Sequence, residues 1–112
     1  MVIVYNNVNN FYSFLKDGSK YMTVQCFEII AHGRVQEVGF RYGTMQIATQ
    51  LNITGSVQNL PNGTVKIIAE GDQHNLDKFI SLIQKGPTPF AKVSKLEVKD
   101  LPTAQYRLFI IK

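Results

Sequence analysis

The sequence predicts an α+β domain in which two helices pack on one face of a mostly antiparallel sheet. Three observations predict it. Hydrophobic periodicity switches between two and 3.6 residues in the order strand, helix, strand, strand, helix, strand, with one further strand at the end. Only two segments carry a helical apolar stripe, too few to cover both faces of such a sheet. The turn Pro61-Asn62-Gly63 contains an Asn-Gly pair, a strong hairpin signal, so the strands on either side of it are antiparallel neighbours.

The elements follow in order. Phe27, Ile29 and Ala31 alternate with Glu28, Ile30 and His32, which makes a strand with the first set on the core; Gly33 is expected to end it. Phe40, Thr44, Ile47, Ala48 and Leu51 fall on one helical face, with Asn52 as its stop. Gly43 costs this helix about 1 kcal/mol relative to alanine. Ile53–Leu60 reads as a strand, and its hairpin partner sets Val65, Ile67 and Ala69 against Lys66, Ile68 and Glu70. Asp72 is the expected N-cap of a second helix with Leu76, Phe79, Ile80 and Ile83 as its stripe. Lys85 in its last turn, Gly86 after it and Pro87 beyond end that helix. Leu96 and Val98 share a strand phase that Val93 breaks, which predicts a bulge or a late strand start. Arg107–Ile111 closes the chain. This split strand–helix–strand order is of the ferredoxin-like α/β sandwich type, βαββαβ plus a C-terminal strand.

Composition narrows the class. At 112 residues and 45% hydrophobic the chain holds one ordinary domain, and no apolar run reaches the length of a membrane span. A single cysteine, Cys26, excludes an internal disulfide and a multi-thiolate zinc site, and fits a reducing compartment, so a cytoplasmic location is expected. The net charge of +4 suits an anionic ligand but also an ordinary solvated surface. Two histidines and scattered acids give no metal spacing; Asp72, Asp77 and Glu70 read as cap and solvent-face residues. Cys26 reads as a small buried hydrophobe, and His32, six residues away on the same strand, is too far to pair with it.

Residues 1–21 differ from the rest. They are rich in Asn and aromatics and have neither the charged start nor the cleavage site of a secretory signal. Val2–Tyr5 reads as a short strand, and Phe11, Phe14 and Leu15 have helical spacing. The segment is expected to be an N-terminal extension, disordered or upstream of a natural start at Met22, with the domain over 22–112. An intact mass from the native source tests that start; an N-terminus at Met1 sinks it.

The chemistry-bearing segment is Gly33-Arg34-Val35-Gln36-Glu37-Val38-Gly39-Phe40-Arg41, which joins the first strand to the first helix. A glycine-bearing loop that runs into a helix presents unpaired backbone N–H groups, and the helix dipole adds a preference for an anion. Arg41 falls in the first turn, where a cation costs roughly 0.3–1 kcal/mol against the dipole. An anion held between Arg41 and those N–H groups would offset that cost, and a guanidinium can grip phosphate with two parallel hydrogen bonds. A surface arginine lying over the loop is an equally simple account from the residues alone.

Gly33-x-Val35-Gln36-x-Val38-Gly39-Phe40-Arg41 resembles the phosphate-cradle signature of the acylphosphatase family. Gly55-x-Val57-x-Asn59-x-x-x-Gly63-x-Val65, followed by Gly71, resembles its second signature, and Ala48, Leu51 and Gly86-Pro87 also match. The resemblance spans roughly Cys26 to Ile111. It implies the ferredoxin-like fold and hydrolysis of the carboxyl–phosphate bond of small acyl phosphates to a carboxylate and inorganic phosphate, with no metal and no organic cofactor. It implies that Arg41 binds phosphate with the backbone of Val35, Gln36, Glu37, Val38, Gly39 and Phe40, and that Asn59 orients the attacking water. Asn59 read without that context is a residue chosen for turn chemistry.

Two residues depart from the family pattern. Glu37 stands where the family usually has glycine. Its charge lies beside the phosphate, and a positive φ there would add strain on the order of 1–3 kcal/mol, so a lowered affinity or rate is expected. Ser56 stands where an aromatic residue is common and is expected to affect packing rather than chemistry. Two other readings stay open: a catalytically weakened phosphate-binding or regulatory domain, and an RNA-binding sheet. The predicted open-face residues of the two central strands, Glu28, Ile30, Lys66, Ile68 and Glu70, include no aromatic to stack a base, so no nucleic-acid partner is expected. No membrane association is expected either, and a monomer is the expected state.

Overall fold

The computed structural model describes residues 2–5 and 23–112. Its strands are β1 (Val2–Tyr5), β2 (Val24–Arg34), β3 (Thr54–Asn59), β4 (Val65–Asp72), β5 (Lys92–Leu101) and β6 (Phe109–Ile111). Its helices are α1 (Phe40–Gln50) and α2 (Gln73–Lys85). The sheet order is β1-β5-β2-β4-β3-β6. Every neighbouring pair is antiparallel except β3 and β6, which run parallel. β2 and β4 lie at the centre, and each strand–helix–strand unit has a strand of the other between its two strands. The expected ferredoxin-like sandwich is therefore the observed fold.

The core sits between the sheet and both helices, as the alternation required. Ile29 pairs with Ile67 on one side and Val98 on the other, and all three are buried. Leu76, Phe79, Ile80 and Ile83 of α2 close over them, with Phe40 and Ala48 of α1 beside. The Phe79 and Phe109 rings meet at a centroid distance of 6.4 Å and a tilt of 59°, which fastens the short β6 to the helical layer. Gly43, which weakens α1 by propensity, is there for close packing: a Cβ would lie 2.7 Å from the Pro87 carbonyl oxygen.

Some expectations are corrected. β2 does not end at Gly33 but runs to Arg34. The register shifts between His32 and Gly33, because β5 carries Ser94 as an extra residue there, which is the bulge that the Val93 phase break predicted. Glu70 is not a solvent-face residue. It is buried, and its carboxylate accepts backbone N–H bonds from Ala104 at 2.7 Å and Tyr106 at 3.1 Å. The segment after β5 thus folds back over that end of the otherwise open face, and the sequence gives no local cue to it. Cys26, opposite Glu70 in the register, is buried too; burial first, then the Glu70 charge and hydrogen bond, pushes its thiol up to about 11. Asp72 caps α2 as expected, and burial raises the Asp77 carboxyl, partly offset by His74.

The Val2–Tyr5 strand forms, and it pairs with β5 at the sheet edge. The helical spacing of Phe11, Phe14 and Leu15 lies outside the described residues. No described helix is long and apolar enough to cross a membrane.

Candidate active site

The loop from Val35 to Gly39 leaves β2 at the sheet end where the β3–β4 turn also lies. Val35 and Val38 point inward and are buried, while Glu37 and Gly39 are exposed. Two side-chain bonds hold this shape. The Gln36 amide donates from Nε2 to the carbonyls of Leu60 at 2.8 Å and Thr64 at 2.9 Å, so the loop is tied to the hairpin turn. Thr88 donates its hydroxyl to the Val38 carbonyl at 2.8 Å, which ties the loop to the segment after α2.

The loop then turns through left-handed backbone. Glu37 has φ 62° and Gly39 φ 75°. Gly39 is the N-cap of α1, and no side chain caps the helix or places an acid in its first turn. The first N–H groups of α1 therefore have no intrahelical acceptor and no carboxylate in the first turn, an arrangement that favours an anion. Gly39 adopts φ 75° without the Cβ cost, whereas Glu37 carries it.

Arg41 and Asn59, 18 positions apart, meet at one cleft of about 220 Å³ walled by Val35, Glu37, Gly39, Phe40, Arg41, Tyr42, Asn59 and Ile111. Arg41 Nη1 donates to the Lys112 carbonyl at 3.2 Å, and the Lys112 N–H donates to the Val57 carbonyl at 2.9 Å. The C-terminal end thus links Arg41 to the strand that carries Asn59. Asn59 Oδ1 is buried without a partner among the described residues, so it has an acceptor to offer a small polar guest. Asn59 shares strand parity with Val57 on the helix side of β3, while Ser56 is buried on the other side.

Of the residues singled out from sequence, Val35, Glu37, Gly39, Phe40, Arg41 and Asn59 line this cleft, and Gln36 and Val38 do not. Sequence reading missed Tyr42, Thr88, Ile111 and Lys112. The Thr88 and Lys112 contacts join residues 50 and 71 positions apart, a separation at which no periodicity or turn signal operates. On the far side of the sheet Glu28, Ile30, Lys66 and Ile68 are half-buried, and Lys66 lies 3.8 Å from Glu28. Among the described residues no group of three or more His, Cys, Asp or Glu could hold a metal ion.

Comparison with known proteins agrees on one family. The family model described as acylphosphatase matches residues 27–111. The chain is 45% identical over 82 residues to an acylphosphatase of Pediococcus pentosaceus, covering 73% of this chain and 91% of that one. It is 48% identical over 82 residues to one from Archaeoglobus fulgidus, with the same coverage. Among solved structures it is similar to the acylphosphatase of Bacillus subtilis, with a TM-score of 0.75 and 34% identity over 80% of this chain and 99% of that one. The acylphosphatase structure from Coxiella burnetii gives a TM-score of 0.76 at 28% identity, over 80% and 93% of the two chains.

Proposed function

The chain belongs to the acylphosphatase family of enzymes, and from that premise we propose that its cleft hydrolyses the carboxyl–phosphate bond of acyl phosphates. The observation that carries this reading is the meeting of Arg41, the uncapped start of α1 and Asn59 around one small cleft. An acyl phosphate is already activated, because its leaving group is a carboxylate. Phosphoryl transfer then asks the protein mainly for position and for charge stabilisation on the phosphoryl oxygens.

Each group has a part in that task. The N–H groups at the start of α1 and the Arg41 guanidinium hold the phosphoryl oxygens and meet the charge that develops on them. The Asn59 amide holds a water in line with the phosphorus. The water oxygen bonds to phosphorus as the bond from phosphorus to the acyl oxygen breaks, and the carboxylate leaves with that electron pair. Asn59 is no strong base, so the water proton passes to a phosphate oxygen of the substrate. The charge is supplied by residues of the chain, and no step calls for a metal.

The test is benzoyl phosphate hydrolysis, followed by loss of ultraviolet absorbance, without added metal. Wild-type turnover that falls by roughly 10³ in Arg41→Ala and roughly 10² in Asn59→Ala supports the assignment. Equal turnover in wild type and Arg41→Ala overturns it. Glu37 favours a second reading, a domain that binds phosphate and turns over slowly, since its carboxylate stands on the cleft wall in left-handed backbone. Phosphate binding without turnover, restored by Glu37→Gly, would establish that reading instead.

A further inference from the structure

Thr88 does not line the cleft, yet its hydroxyl donates at 2.8 Å to the carbonyl of Val38, within the proposed cradle. We infer that Thr88 is a positioning residue: this bond sets the Val38–Gly39 peptide plane so that the Gly39 N–H is presented to the phosphate. The role rests on the hydrolytic reading of the cleft and adds to it the group that aims one of its donors.

Three observations support it. The first is the geometry of the peptide. No peptide bond among the described residues is cis, and in a trans peptide the C=O and N–H point in opposite directions. A carbonyl aimed at Thr88 therefore sends the Gly39 N–H away from Thr88. Gly39 lines the cleft, and its N–H meets no acceptor among the described residues. The second is freedom. Turning this peptide over reverses the sign of φ at Gly39, which is 75°, and glycine takes either sign about equally readily. The backbone alone thus leaves two orientations open. The reversed one puts the Val38 carbonyl where the N–H was, and an oxygen there repels the anion that an N–H attracts. A donor on the carbonyl side selects between the two. The third is how firmly that donor is held. Pro87 and Pro89 flank Thr88; the first has a fixed φ, and the second restricts Thr88 to extended backbone. The Thr88 carbonyl accepts the Ala91 N–H at 3.3 Å. The Thr88 methyl faces the bare backbone at the start of α1, where a Cβ at Gly43 would lie 3.0 Å from it and one at Gly39 3.6 Å.

Two substitutions separate the donor from the packing. Thr88→Val keeps the branched shape and removes the hydroxyl, whereas Thr88→Ser keeps the hydroxyl and removes the methyl. The readout is the dissociation constant of inorganic phosphate, taken from amide shifts in a titration. In Thr88→Val it should rise about 10-fold, and kcat/KM for benzoyl phosphate should fall by a similar factor. Thr88→Ser should stay within about twofold of wild type on both measures, whatever its melting temperature. A constant unchanged in Thr88→Val, or raised as much in Thr88→Ser, would overturn the assignment. Should Thr88→Val fail to fold, the wild type decides by itself. Phosphate should move the Gly39 amide proton downfield, and a Gly39 amide that does not respond to saturating phosphate overturns the assignment. That shift in a wild type that leaves benzoyl phosphate intact supports the role of Thr88 and overturns the hydrolytic reading alone. Turnover of benzoyl phosphate with a silent Gly39 amide does the reverse.

Discussion

The two helices start from the same kind of junction, the end of a sheet strand, and they are finished in opposite ways. At α2 the chain passes from β4 into the helix with no loop, and Asp72 in extended backbone accepts the Asn75 N–H at 2.8 Å. The Gln73 N–H goes to the Thr23 carbonyl at 3.0 Å. At α1 five residues intervene, the cap position is a left-handed glycine, and neither a capping side chain nor an acid is supplied. The first helix puts an arginine where the second has its carboxylate close by. One start is satisfied from within and contributes about 1 kcal/mol to stability. The other forgoes that gain, and on the proposed reading its N–H groups and positive dipole end serve the phosphate. Stability and binding thus draw on the same backbone groups, and each helix end serves one of them.

Variants that exchange these properties sharpen the contrast. The largest effect is expected from Arg41→Ala, a fall in kcat/KM of roughly 10³ with an unchanged circular dichroism spectrum, because the side chain is exposed. Gly39→Asp gives α1 the carboxylate that α2 has. Its inhibition constant for inorganic phosphate should rise by about 10-fold or more, read in a competition assay, and an unchanged constant would show that the start of α1 holds no anion. Glu37→Gly relieves a left-handed φ of 62° and removes a charge from the cleft. Its kcat/KM should rise a few-fold and its unfolding free energy by about 1 kcal/mol, the strain relief less the entropy that glycine adds to the unfolded chain. Lower activity in this variant counts against the role given to Glu37. Asp72→Ala is the converse case. Thermal unfolding should move down by about 4 °C while kcat/KM at 25 °C stays the same.

The contrast also explains what could be read from sequence. The fold was legible because each element repeats its signal: Phe27, Ile29 and Ala31 announce a strand three times, and the α2 stripe is bounded by Asp72 and Gly86. The proposed cradle stands out in the sequence because its residues are contiguous, and Asn59 stands in a second motif. What escaped is non-local. Glu70 looked like a solvent-face acid because its partners, the N–H groups of Ala104 and Tyr106, come more than 30 residues later. Gly33 looked like a strand end because a bulge and a terminus need the same residue type.

The Gln36 amide spans the carbonyls of Leu60 and Thr64 and so clamps the cradle to the turn that follows Asn59. Leu60 also accepts from the Gly63 N–H at 3.1 Å, and its own N–H donates to Thr64 at 2.9 Å. Loop and turn are thereby one rigid body, and the disorder that a free glycine loop would have to surrender has already been surrendered in folding. On the proposed reading a phosphate arriving here meets a mould rather than a sling, so its capture should leave the loop's amide order parameters almost where they were.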